Sequence, residues 1–297
     1  MKILKTHIVP QKVGKFRLSD YTREVFNEFI PSRNGIKKAI KNNLILVDDM
    51  PARTGYWVKP SQKITLLEAH KPKQIFKYVL PVNFEDNYLA VISKPAGLLV
   101  NGNQFRTIEN ALEYNLYPSS LKDALAKMKP VHRLDSLTNG LLIIAKTKSS
   151  QKKLDEMFKQ HKINKRYIAI VMGKIPSEGE IERKVDNKEA RTIFKRLKVV
   201  PSLKSGYLSL VNLWLESGRT HQLRKHLSWL GFPILGDKLY GQKGNIFKGK
   251  GLFLAAVELN FQHPFTCKHI KLTIALPNKF YIQLQREERR YLKFNAK

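Results

Sequence analysis

The chain reads as an α+β protein in two parts, a small basic module of helices and short strands followed by a larger domain of mixed strands and helices. Three observations lead there. At 297 residues the chain is long for one compact unit and comfortable for two. Beyond residue 80, short apolar runs bounded by polar loops alternate with segments of helical periodicity. The composition is globular, 42% hydrophobic with 16 Gly and 14 Pro, which excludes collagen-like and wholly disordered classes.

Charge narrows the function classes. Fifty-four Lys and Arg against 24 Asp and Glu leave a net +30, with a pI near 10.1, the footprint of a polyanion binder and first of all of a nucleic-acid binder. The excess is spread along the chain: residues 1–80 carry 16 basic and 6 acidic side chains, net +10, and the other 217 residues carry net +20. A membrane surface attracts the same charge, but there is no basic amphipathic helix with a Trp/Phe/Leu face. The longest apolar runs, Tyr167 to Met172 and Leu252 to Val257, are six residues each, whereas a spanning helix needs about 20. Lys2 and Lys5 charge the N-terminus early, unlike a secretory signal. The one cysteine, Cys267, cannot pair internally, which suits a reducing compartment. The expectation is a cytoplasmic, monomeric protein.

Residues 1–15 read as an N-terminal extension. Ser19-Asp20 then caps a helix running to about Phe29, and Pro31-Ser32 restarts a second one with Ile36, Ala39 and Ile40 on one side. Arg33, Lys37 and Lys41 recur every four residues on a neighbouring arc, which is either a solvated face or a phosphate-binding one. Asn42-Asn43 stops the helix, Leu44 to Val47 reads as a strand into a turn, and Lys63 to Leu67 as another. This order, over residues 16–67, resembles the small RNA-binding domain named after ribosomal small-subunit protein four. Pro60-Ser61-Gln62 stands where that domain usually has a Gly-Asp turn. The resemblance implies that Arg33, Lys37 and Lys41 contact RNA. Residues 68–80, rich in Lys and Pro, read as a linker.

In the second domain, expected over residues 81–284, Leu89 to Ile92 is a strand ended by Lys94-Pro95-Ala96-Gly97, and Gly140 to Ala145 a buried strand ended by Lys146-Thr147. Ser149 to His161 follows as an amphipathic helix with Leu154, Met157, Phe158 and His161 on one stripe. Arg166 to Met172 and Tyr207 to Leu215 are strands. Thr220 is placed to cap a helix whose Leu223, Leu227 and Leu230 pack, with Gly231 ending it. Residues 285–297 form a basic C-terminal tail, helical or frayed.

Spacing removes the common cofactor motifs. There is no Gly-x-x-x-x-Gly-Lys loop, no Gly-x-Gly-x-x-Gly after a strand and no His-Glu-x-x-His pair, and His221 and His226 are five apart, off a common helical face. His263, Cys267 and His269 are scattered along the chain without a paired ligand cluster. No metal or cofactor is expected. Three polar islands remain. The first, Val131 to Gly140, is a loop before a buried strand, where rigid scaffolds tend to display functional groups. It holds one carboxylate, Asp135, beside His132 and Arg133, whose positive charge favours the anion; a turn-capping role for Asp135 is equally consistent with this stretch. The second is Lys165-Arg166-Tyr167 at the head of a strand, where Tyr167, taken alone, reads as a packed core ring rather than a functional one. The third is Gly218 to Leu227 with Gly231 to Gly241 behind it. There Arg224 sits about 100° round from Leu223, at the edge of the packed stripe, and can reach into a cleft.

Lys94-Pro95-Ala96-Gly97, His132-Arg133-Leu134-Asp135 with Thr138 and Gly140, Lys165-Arg166-Tyr167, and Gly218 to Arg224 with Gly236-Asp237 and Tyr240-Gly241 resemble, in order and spacing, the motifs of the RluA-type pseudouridine synthases. The likeness covers Val82 to Pro277. It implies a mixed, largely antiparallel sheet with flanking helices and a central cleft, and isomerisation of chosen uridines in structured RNA without a cofactor. By resemblance Asp135 is the catalytic carboxylate, Arg224 its partner and Tyr167 the ring that stacks on uracil, while Arg133, His132, Arg219 and Lys94 contact RNA and Arg133 fills the gap left by a flipped nucleotide. Where the family commonly has Lys/Arg-Asp-Thr-Ser-Gly after the aspartate, this chain has Ser136-Leu137-Thr138-Asn139-Gly140, two charges fewer. The N-terminal module favours large-subunit ribosomal RNA as the target over transfer RNA. The competing readings are a non-catalytic RNA-binding or ribosome-assembly factor and a nucleobase glycosylase.

Overall fold

A computed structural model describes residues 2–68, 75–241 and 249–295. The chain divides into two units, Met1–Gln74 and Ile75–Lys297, and the expected linker falls in part on residues 69–74, outside the described residues. The first unit contains β1 (Ile3–Ile8), α1 (Leu18–Val25), α2 (Arg33–Lys41), β2 (Ile45–Val47), β3 (Met50–Pro51) and β4 (Lys63–Leu67), its sheet in the order β1-β4-β2-β3. The residues expected to be an extension thus supply an edge strand: Thr6 pairs with Thr65 and Ile8 with Lys63. Helix α1 starts at Leu18 with Arg17 at its N-cap and no side-chain cap, so Ser19-Asp20 lies inside it. Ser32 does cap α2, accepting from the Gly35 amide, and Asn43, at φ 56°, turns the chain after it. Ile36, Ala39 and Ile40 are buried with Leu18, Phe26, Ile45 and Ile64, leaving Arg33, Lys37 and Lys41 exposed.

The second unit holds β5 (Val82–Glu85), β6 (Leu89–Lys94), α3 (Ile108–Asn115), β7 (Ala124–Pro130), β8 (Asn139–Thr147), α4 (Lys148–Lys159), β9 (Asn164–Met172), β10 (Glu178–Glu182), β11 (Arg191–Ser202), β12 (Gly206–Leu215), α5 (Gln222–Trp229), β13 (Leu254–Gln262), β14 (His269–Thr273) and α6 (Asn278–Asn295). Its ten-stranded sheet runs β10-β11-β12-β9-β13-β8-β6-β5, with β14 on β13 and β7 on β8. Among the described residues every pairing of these strands is antiparallel except β8 with β13, which is parallel and joins through Asn139 with Ala255 and Gly140 with Ala256. The continuous apolar run of β8 is explained by two cores. Leu142 and Ile144 pack on the side of α3 and α5, while Leu141, Ile143 and Ala145 pack on the side of α4.

Helix α4 begins at a Thr147 and Ser150 capping box. It ends at Lys159, with His161 beyond it at φ 56° and exposed, so His161 does not extend the packed stripe. Helix α5 is capped not by Thr220 but by His221, a residue in the left-handed region that offers no side-chain cap. Leu223 and Leu227 are buried, whereas Leu230 lies past the helix and is 39% exposed. The expected basic tail continues α6, whose Phe280, Gln283, Leu284 and Glu287 are buried, Glu287 accepting from the Ser202 hydroxyl at 2.7 Å.

Candidate active site

One lateral row of the sheet organises the site. Lys94 pairs with Gly140, Gly140 with Ala256, Ala256 with Tyr167 and Tyr167 with Leu213. Residues far apart in sequence thereby share one line across adjoining strands. Gly140 is required there: it sits at φ +132°, and a Cβ would fall 2.1 Å from the Ala256 carbonyl oxygen.

The loop that carries Asp135 enters β8 from this row and is pinned along its backbone. The Lys94 ammonium, 1% exposed, donates to the carbonyls of Pro95, Ser136 and Thr138 at 2.9, 3.0 and 2.8 Å, and the Gly97 amide donates to Ser136 at 2.8 Å. Lys94 is therefore not a surface phosphate contact, as the resemblance implied, but a clamp on the loop; a flexible cation satisfies three converging carbonyls. Burial pushes its ammonium down to about 8, against the pull of Asp135. His132 is likewise a fixture rather than an RNA cation. Its Nε2 accepts from the Ile143 amide at 3.0 Å and its ring lies 4.9 Å from Phe158. Burial pushes it down to about 3, with nearby Lys165 adding to the effect, so the imidazole is neutral. Leu134 is buried and Arg133 projects outward, exposed.

Asp135 accepts from Arg224 Nη1 at 3.3 Å and has His221 Nε2 3.7 Å away, with 18% of its side chain exposed. Arg224 is itself gripped by Asp237, through Nε at 2.7 Å and Nη2 at 2.9 Å. Asp237 also accepts from the Leu239 and Tyr240 amides at 2.9 and 3.0 Å. Burial opposes its charge, but the Arg224 fork and these amides outweigh that and hold the carboxyl below the usual range. Burial likewise disfavours the Arg224 cation, and Asp237 and Asp135 more than compensate. His221 completes the ring, its Nδ1 3.0 Å from the Tyr240 hydroxyl; burial lowers its pKa despite Asp135.

Tyr167, 6% exposed, belongs to the core and also lines the cleft, and its hydroxyl makes no hydrogen bond among the described residues. Burial, reinforced by Asp135, pushes its phenol up, so it stays protonated. The cleft, about 440 Å³, is lined by Arg133, Asp135, Tyr167, Arg219, His221 and Arg224 among others, and also by Phe158, Lys159 and Lys165. Four expected residues, Lys94, Arg33, Lys37 and Lys41, are not among its lining: Lys94 lies beneath the loop and the other three belong to the first unit. Asp237, His221 and Tyr240 were not expected as members of the Asp135 network. The Gly236-Asp237 pair, 13 residues past Arg224, was the available signal, an acidic residue amid basic ones.

A carboxylate pair bridged by one arginine beside a tyrosine, in a basic cleft of a largely antiparallel sheet, defines a site for chemistry on a polyanionic substrate. Residues 88–229 match the family of RNA pseudouridylate synthases. The chain is 31% identical over 88% of its length to the ribosomal large subunit pseudouridine synthase D of Buchnera aphidicola, covering 90% of that protein. It is 32% identical over 89% of its length to the ribosomal large subunit pseudouridine synthase C of Rickettsia prowazekii, covering 95% of it. The structure of human RNA pseudouridylate synthase domain containing 4 superposes with a TM-score of 0.54 at 25% identity, over 70% of this chain and 93% of that one. The chain belongs to the RNA pseudouridine synthase family, whose members are isomerases.

Proposed function

We propose that the protein isomerises specific uridines of large-subunit ribosomal RNA to pseudouridine, with Asp135 as the catalytic carboxylate. The observation that carries the reading is the anchoring of Asp135: a carboxylate lining a basic cleft, on a loop pinned by Lys94, held by an arginine that Asp237 keeps in place. The relatives' names supply the ribosomal target. The reaction breaks the bond from sugar C1′ to uracil N1 and forms one from C1′ to C5; the proton on C5 leaves and N1 gains one. A base in a helix is out of reach, so the nucleotide is flipped out at a cost of a few kcal/mol. Arg133, exposed, is free to occupy the space vacated. Asp135 acts at the sugar, on C1′ or on the neighbouring 2′ proton. The Tyr167 ring stacks on the detached uracil, a contact worth about 1–3 kcal/mol, and its protonated hydroxyl adds no competing charge. The first unit is a small RNA-binding domain like that of ribosomal small-subunit protein four, its Arg33, Lys37 and Lys41 face meeting phosphate, and the protein works in the cytoplasm.

The test is tritium release from 5-tritiated uridine in an unmodified large-subunit ribosomal RNA transcript. Wild type releases tritium, and Asp135→Asn releases none while still binding the RNA. Full turnover by Asp135→Asn would falsify the assignment of Asp135, and background release by wild type on all cellular RNAs would leave a binding factor instead.

A further inference from the structure

Lys165 precedes Tyr167 by two residues on β9, so both side chains leave the same face of the strand and both line the cleft. Arg166 between them points the other way and is fully engaged, with Glu258 at 2.8 Å and Asn212 at 3.1 Å. Lys165 is partly buried, and among the described residues its ammonium has no hydrogen-bond acceptor and no carboxylate. Its Nζ lies 5.1 Å from the Phe158 ring centroid, and on another side a Cβ added to Gly218 would be 3.9 Å away. A ring face and a bare glycine leave the ammonium open towards the cleft and supply no countercharge.

The rest of the cleft does not answer for it. Asp135 is taken by Arg224 and His221, and Glu216 by Arg191 at 2.8 Å. The other lining cations differ in kind: Arg133, Lys159 and Arg219 are exposed and solvated, while Arg224 is buried and doubly paired. Among the described residues, Lys165 alone of the lining lysines and arginines is both partly buried and left without an anion. A charge in that state costs free energy unless a ligand supplies its partner. The anion that RNA brings is the backbone phosphodiester.

We propose that Lys165 is the docking point for the backbone phosphate flanking the uridine that is drawn towards Asp135. This rests on the reading of the cleft as an RNA site. Burial also pushes the Lys165 ammonium down to about 8, so its charge at neutral pH is retained but weakly supported until a phosphate arrives. Lys165 is a positioning residue: it fixes the register of the strand so that the adjacent sugar meets the carboxylate.

The experiment is filter binding of an unmodified bacterial large-subunit ribosomal RNA transcript across a range of potassium chloride concentrations, with every protein carrying Asp135→Asn so that turnover cannot intervene. Lys165→Met should weaken binding and make the slope of log Kd against log salt shallower by roughly 0.7–0.9, the value of one phosphate contact. Lys165→Arg should restore the slope. In the background with Asp135 intact, Lys165→Met should raise KM by a larger factor than it lowers kcat. A thermal midpoint for Lys165→Met at or above that of wild type is expected, since an unpaired, partly buried charge has been removed, and shows that the variant folds. An unchanged salt slope, or a loss confined to kcat, overturns the proposal. Absence of wild-type turnover would instead sink the assigned reaction, and the binding measurement would still decide the role of Lys165.

Discussion

Arg224 holds Asp237 through two hydrogen bonds of 2.7 and 2.9 Å, and this grip leaves its Nη1 to reach Asp135 at 3.3 Å. The guanidinium is planar and rigid, so fixing two of its nitrogens fixes the third. Asp237 is thus the residue that aims Arg224, and Asp135 is positioned from 102 residues further along the chain by way of one side chain.

Replacing Asp237 by Asn should therefore cost stability and activity together. The Arg224 cation would remain buried with only Asp135 to balance it, a loss of about 3 kcal/mol as for other broken buried pairs. Urea unfolding reads the first effect and tritium release the second. Arg224→Lys keeps the charge but not the fork, and should lower turnover by about a hundredfold or more with a smaller loss of stability.

Lys94→Met removes a donor shared by three carbonyls. The expected cost is about 2–3 kcal/mol, because buried acceptors are left unpaired. Turnover should fall further than the fraction unfolded accounts for, since the Asp135 loop loses its clamp. Denaturant midpoints alongside single-turnover rates separate the two.

Gly140→Ala places a methyl group against the Ala256 carbonyl oxygen at a backbone angle that L residues rarely adopt. A loss of at least about 3 kcal/mol is expected, with disruption of the parallel β8–β13 contact. Gly206→Ala is the control for angle alone: Gly206 also has positive φ, at +68°, but nothing lies within 4 Å of an added Cβ, so its loss should be smaller.

Stability should decline as pH falls from about 6.5 towards about 3. His132 takes up a proton near 6.5 when unfolded but only near 3 when folded, and the pKa values of His221 and His226 are also lowered by burial. The unfolded chain then binds more protons across this window, so acid favours unfolding. His132→Gln should flatten the dependence, as read by urea midpoints measured near neutrality and about two pH units below it.

Arg133→Ala should leave stability within about 0.5 kcal/mol, as for an exposed residue away from the core. On structured RNA its turnover should fall by at least about tenfold, and by less on an unpaired substrate, because only the structured RNA needs its gap filled.

Much of this was legible in local pattern. Continuous apolar runs marked β8 and β9, two-fold alternation marked β12 and 3.6-fold periodicity marked α2 and α4, each to within a few residues, and Ser32 was readable as a cap because capping is a contact between near neighbours. Elements without such marks were not. β1 is an edge strand, exposed at four of its six residues with Ile3, Leu4 and Ile8 among them, so its apolar residues mark no buried face, and β11 mixes Lys and Arg into twelve residues because one of its faces meets water. Thr220 has the chemistry of a cap, but the left-handed turn at His221 takes the helix start past it.

The charge, the lone cysteine and the motif islands are properties of the linear chain, because they depend on which residues are present and on their near neighbours, and it was the family resemblance of those islands, not their local setting, that singled out Asp135, Tyr167 and Arg224. Which cations are free and which are spent was decided only by tertiary structure. Lys94 and Lys165 are indistinguishable by composition, yet one is consumed by three carbonyls and the other is left facing the cleft. The reason is that an ammonium's role is set by the acceptors within about 3 Å of it, and those come from segments that folding alone brings together.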